Sequence, residues 1–272
     1  MTPAAAFCSN RQMLGPETSA VVENLLQALR FFGYARPGAE IEDLPGVTLI
    51  FCGLNYAAFN AALLARPVGA DRQALARLIG NSAEQFGRRN LRWTYWFCDD
   101  YLDGAVLRDV DGVFNRFGLR PLTEAPGMYA DKLSPPRHML PALEVQPVAD
   151  QRTQGAFADI MSVAFEIPHP VCMAIYASEC AWKGAFRGYV GFSNGKAVAT
   201  AAAMVTGDII GLYSVATLPS YRRRGYAEAI MRQVIQEAGL AKTVLQSTRS
   251  GLSLYQRMGY RTVTNFNVYI AD

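Results

Sequence analysis

Three consecutive arginines, Arg222, Arg223 and Arg224, stand directly before Gly225, Tyr226, Ala227 and Glu228, where an apolar strand-like run gives way to a helical pattern. Ala227, Ile230, Met231, Val234, Ile235 and Ala238 recur at the spacing of one helix face, and Gly239 supplies the stop. Cations at a helix N-terminus oppose the positive end of the macrodipole, each by roughly 0.3–1 kcal/mol when exposed. Their presence there predicts an anion among them, and a diphosphate meets that need. The first-turn N–H groups have no intrahelical acceptor and would point at the anion. Gly225 lets the backbone come close, and Ala227 leaves room where a larger side chain would intrude. A solvated basic turn ahead of an ordinary surface helix is the plain alternative.

The spacing Arg222-x-x-Gly225-x-Ala227, after a strand, resembles the Gln/Arg-x-x-Gly-x-Gly/Ala signature of the GNAT superfamily of acyl-CoA-dependent acyltransferases. Downstream, Leu254-Tyr255-Gln256-Arg257-Met258-Gly259-Tyr260 is similar to that family's Leu-Tyr-x-x-x-Gly-Phe segment, in the same order along the chain. The resemblance implies a mixed α/β fold with a curved sheet flanked by helices, and acetyl-CoA as the acyl donor. It implies that Arg222–Arg224, Gly225, Tyr226, Ala227 and Glu228 hold the diphosphate. It also implies that the backbone of Val215, Ala216 and Thr217 pairs with the acyl-pantetheine arm as an added strand, and that Tyr255 protonates the departing thiolate. A backbone N–H of the same strand could polarise the thioester carbonyl. Many members carry a glutamate on the strand before the arginines, whereas Ile209–Ser214 has no carboxylate here. Glu166, in the Phe165–Pro170 loop, is the candidate base, followed by His169 and a water route through Ser214 or Tyr213.

Composition narrows the alternatives. Half of the 272 residues are hydrophobic and 18% are charged, so the chain can bury one large core or two ordinary ones. No apolar run approaches the roughly 20 residues of a membrane span, and the start lacks a basic, then apolar, leader. A cytoplasmic protein without membrane or nucleic-acid partners is expected, with dimerisation left open. The net charge of +3 divides unevenly: 14 basic and 14 acidic residues through Ala142, then 12 and 9. The whole excess equals the triple arginine, which suits one anionic ligand better than a broad basic face. Five scattered cysteines without a Cys-x-x-Cys pair, and only two histidines, predict neither a disulfide framework nor a metal site.

These residues must be positioned by a larger frame. Ser134-Pro135-Pro136 through Pro141 is the densest breaker region of the interior, and it sets a boundary between residues 1–140 and 141–272. The second segment reads as a strand at 143–148, helices at 151–165 and 169–183, and strands at 186–192, 197–204 and 209–218. The phosphate helix, a strand at 243–247, the Tyr255 helix and a strand pair over 260–270 follow. Gly191-x-Ser193-x-Gly195 matches a hydrolase nucleophile elbow. However, Asn194-Gly195 lies between two strands, where it predicts a hairpin turn.

The first segment carries an echo of the second. Val113-Phe114-Asn115-Arg116-Phe117-Gly118 parallels Leu254 to Gly259 at a constant offset, which predicts tandem copies of one unit. Phe114 stands where Tyr255 stands and cannot donate a proton, so the first copy is expected to be degenerate. The aromatic strand Trp93–Phe97 is expected in the core, or else as a wall of the acceptor pocket. The leading expectation is an acetyl-CoA-dependent N-acetyltransferase acting on a small amine or amino acid by direct attack in a ternary complex. The alternative is a non-catalytic acetyl-CoA/CoA-binding sensor or scaffold.

Overall fold

Two runs of elements repeat each other along the chain, and their apolar faces close on a single sheet. The computed structural model describes residues 14–271; Cys8 lies outside them. The first run comprises α1 (Pro16–Leu29), β1 (Glu40–Leu44), β2 (Val47–Phe51), β3 (Ala61–Leu64), α2 (Arg72–Arg88), β4 (Trp93–Cys98), the short helices α3 (Gly104–Leu107) and α4 (Val110–Asn115), and β5 (Leu119–Ala130). The second comprises β6 (Glu144–Pro147), α5 (Gln151–Phe165), α6 (His169–Tyr176), β7 (Arg187–Ser193), β8 (Lys196–Thr206), β9 (Ile209–Thr217), α7 (Tyr226–Ala238), β10 (Lys242–Gln246), α8 (Leu252–Arg257) and β11 (Arg261–Ala271).

The strand order is β1-β2-β3-β4-β11-β5-β10-β9-β8-β7-β6. Apart from β6 it reads the same from either side of the β11–β5 pair. The parallel pair β3–β4 on one side matches the parallel pair β9–β10 on the other. The last strand of each run crosses into the other: β5 pairs antiparallel with β10, and β11 pairs antiparallel with β4. The expected strand pair over 260–270 is therefore one long strand, because its hydrogen-bonding partner is β5 of the first run.

The helix expected over 169–183 stops at Tyr176. The Trp182 indole N–H donates to the Tyr176 carbonyl at 2.9 Å, and its ring packs on Phe157 with centroids 4.8 Å apart, so the chain folds back instead of continuing. Asn194 and Gly195 both have positive φ, 50° and 74°, as a tight hairpin between β7 and β8 requires.

One sheet face in the second run packs Ile210, Leu212 and Leu245 against Ile230, Met231 and Val234 of α7 and Tyr255 of α8. The opposite face is covered by α5, α6 and, from the first run, α1. Asn24 of α1 is fully buried and fastens that helix to the second run. Its amide donates to the Met204 carbonyl at 3.0 Å and to Thr206 Oγ1 at 2.8 Å, while the Tyr213 hydroxyl donates to Asn24 Oδ1 at 2.6 Å. In the first run, Trp93, Tyr95 and Phe97 are core residues. Among the described residues no helix is long and apolar enough to cross a membrane.

Candidate active site

The wedge begins where β9 and β10 part. They pair only through Ile209–Gly211 and Lys242–Val244. Beyond that, β9 bulges: its register with β8 shifts between Thr200 and Ala202, and Ser214 sits at φ 49°. The Thr200 hydroxyl donates to the Ser214 carbonyl at 2.8 Å, which holds the bulge in place. Val215, Ala216 and Thr217 follow on the strand, with no backbone partner on the β10 side. The motif strand thus ends as an open edge inside the sheet, where an extended chain could add.

At the end of this edge lies the arginine turn. Arg223 has φ 59°, and Gly225 caps α7 with φ 86°. A β-carbon at Gly225 would come 3.1 Å from Pro141 Cδ in the connection between the runs, so glycine meets a conformational and a steric demand here. No side chain caps this helix, and none of the amides of Arg224 to Glu228 has an acceptor among the described residues. Five consecutive N–H groups free at a helix N-terminus suit an anion.

The three arginines differ in what they do. Arg222 is engaged within the protein, donating to the Thr217 carbonyl at 3.2 Å and to the Ala164 carbonyl at 3.3 Å. This ties the strand end to the C-terminal end of α5. Arg224 lies 5.8 Å from the Tyr221 ring centroid, and Arg223 has no carboxylate partner among the described residues. Both are exposed and available to a ligand. In the first turn, the Glu228 side chain is held by Arg232 at 2.7 Å, leaving its N–H as the group open to an anion. The Tyr226 hydroxyl lies 3.0 Å from Ser193 Oγ, and Ala227 is half-buried.

Tyr255 sits on α8, 8% exposed, edge-on to Tyr260 at 6.0 Å. Burial pushes its phenol up to about 12, so the hydroxyl keeps its proton through the neutral range. Glycine at 251 is needed for this placement, since a β-carbon there would meet Tyr255 Cε2 at 2.7 Å. Glu166 terminates α5 in the left-handed conformation, φ 55°, and is exposed without a cation partner among the described residues. His169 is exposed and 2.7 Å from Asp159. Tyr213 and Ser214 lie in the wedge itself; burial raises the Tyr213 phenol well above its ordinary value, and its proton is committed to Asn24.

The corresponding place in the first run is closed. Strand β3 stops at Leu64, where its counterpart β9 continues through the bulge to Thr217. The Asp71 carboxylate accepts from the Ala74 amide at 2.8 Å and so occupies the N-terminus of α2, where it would repel an anion. Phe114, the counterpart of Tyr255, is fully buried, with Tyr269 stacked 3.9 Å away. Cavities of about 260 Å³ beside Trp96 and about 390 Å³ beside Trp182 flank α1, and neither touches the α7 junction.

Two contributors escaped the sequence pattern. Gln246, at the end of β10, has a carboxamide whose oxygen and nitrogen are both buried without a partner. Asn24, from the far end of the chain, gave no local signal beyond one polar position on a helix. The Asp71 cap could have been found from its place just before a helical run.

Comparison with known proteins agrees with this geometry. Residues 185–262 match the family model for the acetyltransferase (GNAT) domain. A search of the curated proteins returned no match. Among solved structures, a GCN5-related N-acetyltransferase from Kribbella flavida aligns at 16% identity with a TM-score of 0.67, covering 95% of this chain and 96% of its own. One from Sphaerobacter thermophilus aligns at 17% identity, TM-score 0.57, covering 94% and 93%. A tandem GNAT protein from the clavulanic acid biosynthesis pathway aligns at 9% identity, TM-score 0.56, with the same coverage. Residues 185–262 therefore match a GNAT acetyltransferase domain, and the chain shares its fold along nearly its whole length with solved GNAT proteins, a tandem one among them.

Proposed function

We propose that the protein transfers the acetyl group of acetyl-CoA to the amine of a small molecule or amino acid, with residues 141–272 as the catalytic half and 1–140 as a degenerate copy that shapes the site. The observation that carries this is the uncapped run of amides from Arg224 to Glu228, flanked by two uncommitted arginines at the mouth of an open strand edge. Arg223, Arg224 and the amides of Gly225, Tyr226, Ala227 and Glu228 hold the diphosphate, while Arg222 fixes the turn that presents them. The backbone of Val215, Ala216 and Thr217 aligns the pantetheine arm and offers an N–H to the carbonyl.

Bound acetyl-CoA supplies an activated acyl group: the new C–N bond forms as the C–S bond breaks. Tyr255, protonated through burial, gives its proton to the leaving sulfur and regains one from solvent. Glu166, which ends α5 two residues beyond the Ala164 carbonyl that accepts from Arg222, takes the proton that the attacking amine must lose. No metal takes part in this scheme.

Calorimetric titration with acetyl-CoA tests it. Micromolar binding by the native protein that weakens at least tenfold in Arg223→Ala/Arg224→Ala is expected, and absence of binding in the native protein would overturn the proposal. The sensor alternative draws on the missing carboxylate in Ile209–Ser214. It predicts the same titration but no thiol release with any amine.

A further inference from the structure

Gln246 has no explanation in the fold or in the scheme above. It lies two residues past Val244, the last residue of β10 to pair with β9, and so stands inside the wedge. Its side chain occupies a definite face of the sheet. In the β10–β5 register Gln246 is directly opposite Gly127, and residues so paired share a face. A β-carbon on Gly127 would meet Thr264 Cγ2 at 2.6 Å, Phe266 at 2.9 Å and Val21 of α1 at 3.0 Å, which makes this the α1 face. The adjacent residue, Leu245, belongs to the opposite face with α7 and Tyr255. Tyr255 and Gln246 therefore flank the wedge from opposite sides. If the acid for the departing sulfur works from the α8 side, the amine must come in from the side of Gln246.

Burying both ends of a carboxamide without partners is costly, about 1–3 kcal/mol for each group left unpaired. Native structures keep few such groups, and each calls for a reason. Neighbouring polar groups cannot satisfy this one. The Asn24 amide is spent on Met204 and Thr206, and the Tyr213 hydroxyl is spent on Asn24. Of the other residues that define this face, Val21, Gly127 and Phe266 offer no polar side-chain atom, and the Thr264 hydroxyl is spent on the Asp100 carboxylate at 2.6 Å. No cation is among these residues, and the Asp100 carboxylate that holds Thr264 would repel a ligand carboxylate; a ligand ammonium would leave the Gln246 N–H groups without an acceptor. A neutral group with one acceptor and one donor would satisfy both ends of Gln246 at once.

We infer that Gln246 is a specificity-determining residue for the acceptor, and that the acceptor carries a neutral carboxamide beside its reacting amine, as in an amino-acid amide or a peptide N-terminus. This rests on the acetyl-transfer proposal and goes further by naming the acceptor's chemistry.

The test compares L-alaninamide, L-alanine and ethylamine as acceptors by thiol release, in the native protein and in Gln246→Met. Methionine keeps the length of the side chain and removes both unpaired polar atoms, so its thermal midpoint should equal or exceed that of the native protein. The native protein should use alaninamide in preference to alanine. In Gln246→Met, kcat/KM for alaninamide should fall about tenfold, with ethylamine kcat/KM and acetyl-CoA affinity by calorimetry unchanged. Gln246→Glu, which exchanges the donor for a second acceptor, should lower alaninamide use to a similar extent. Alaninamide turnover no faster than with alanine, or an equal fall for alaninamide and ethylamine in Gln246→Met, overturns the inference. Failure of the native protein to bind acetyl-CoA instead overturns the function on which it rests.

Discussion

Gly211 is a point at which the two halves of this protein interlock closely, and replacing it with alanine should be disproportionately damaging. The added β-carbon would stand 1.7 Å from Asn24 Oδ1, 2.7 Å from Asn24 Cγ and 2.7 Å from Tyr213 Cε2. To reach ordinary contact the Asn24 amide must withdraw by roughly 1.5–2 Å. Hydrogen bonds of 3.0, 2.8 and 2.6 Å to Met204, Thr206 and Tyr213 do not survive such a shift. At about 1 kcal/mol net for each bond, Gly211→Ala should cost about 3 kcal/mol. This corresponds to a fall in Tm of roughly 5–10 °C for a chain of this size.

The assay is urea unfolding followed by tryptophan fluorescence, run as a double-mutant cycle. In an Asn24→Ala background the nearest obstacle is gone and the Tyr213 ring, 2.7 Å away, is released from its hydrogen bond to Asn24 and free to give way, so Gly211→Ala should then cost under about 1 kcal/mol, since alanine suits a strand interior better than glycine. An equal cost in both backgrounds would refute the idea that Asn24 is what the glycine accommodates.

Two further outcomes follow from the site and from the surface. Tyr255→Phe should lower kcat about 100-fold or more while leaving acetyl-CoA affinity unchanged in calorimetry, because only the proton donor is removed; equal turnover would remove Tyr255 from its role. Asp43 is held down at about 2 by the Arg30 guanidinium, with help from the Thr48 hydroxyl against the opposing effect of burial. A carboxylate whose folded value is depressed contributes stability that is complete above its unfolded value near 4 and disappears as pH falls through about 2. Asp43→Asn should therefore lower the thermal midpoint at pH 5, with the difference from native closing between pH 4 and 2. A constant difference down to pH 2 would count against it.

The second half was legible because its signals are local. The stripe from Ala227 to Ala238 fixes α7, Gly225 and Gly239 bracket it, and Asn194-Gly195 makes a turn whatever surrounds it. The arginine motif also marked the uncapped start of α7, since a helix start needs only neighbouring residues to recognise it. What could not be read depends on residues far apart in the chain. Nothing in Arg261–Ala271 says that its neighbours will be β4 and β5, so a hairpin of its own was the natural expectation. The separate duties of the arginines were equally hidden: Arg222 is drawn inward by the carbonyls of Thr217 and Ala164, and the second of these lies on another helix. Gln246 carries no sequence signal as a strand-end glutamine, and becomes informative only once its partners are known to be missing.

The exchange of β5 and β11 has a consequence for how the protein comes into being. Strand β4 and the far side of β5 both wait for β11, so the first half emerges from the ribosome with a gap in its sheet that only the last strand can fill. At about 5–20 residues per second, synthesis of the second half leaves those strand edges open for on the order of ten seconds. During that interval they are exposed to any passing chain, including the β11 of a neighbouring copy. Crowded synthesis should therefore favour intertwined dimers in which two chains trade their final strands. The arrangement that welds the halves into one sheet also makes each molecule's completion a race against its siblings.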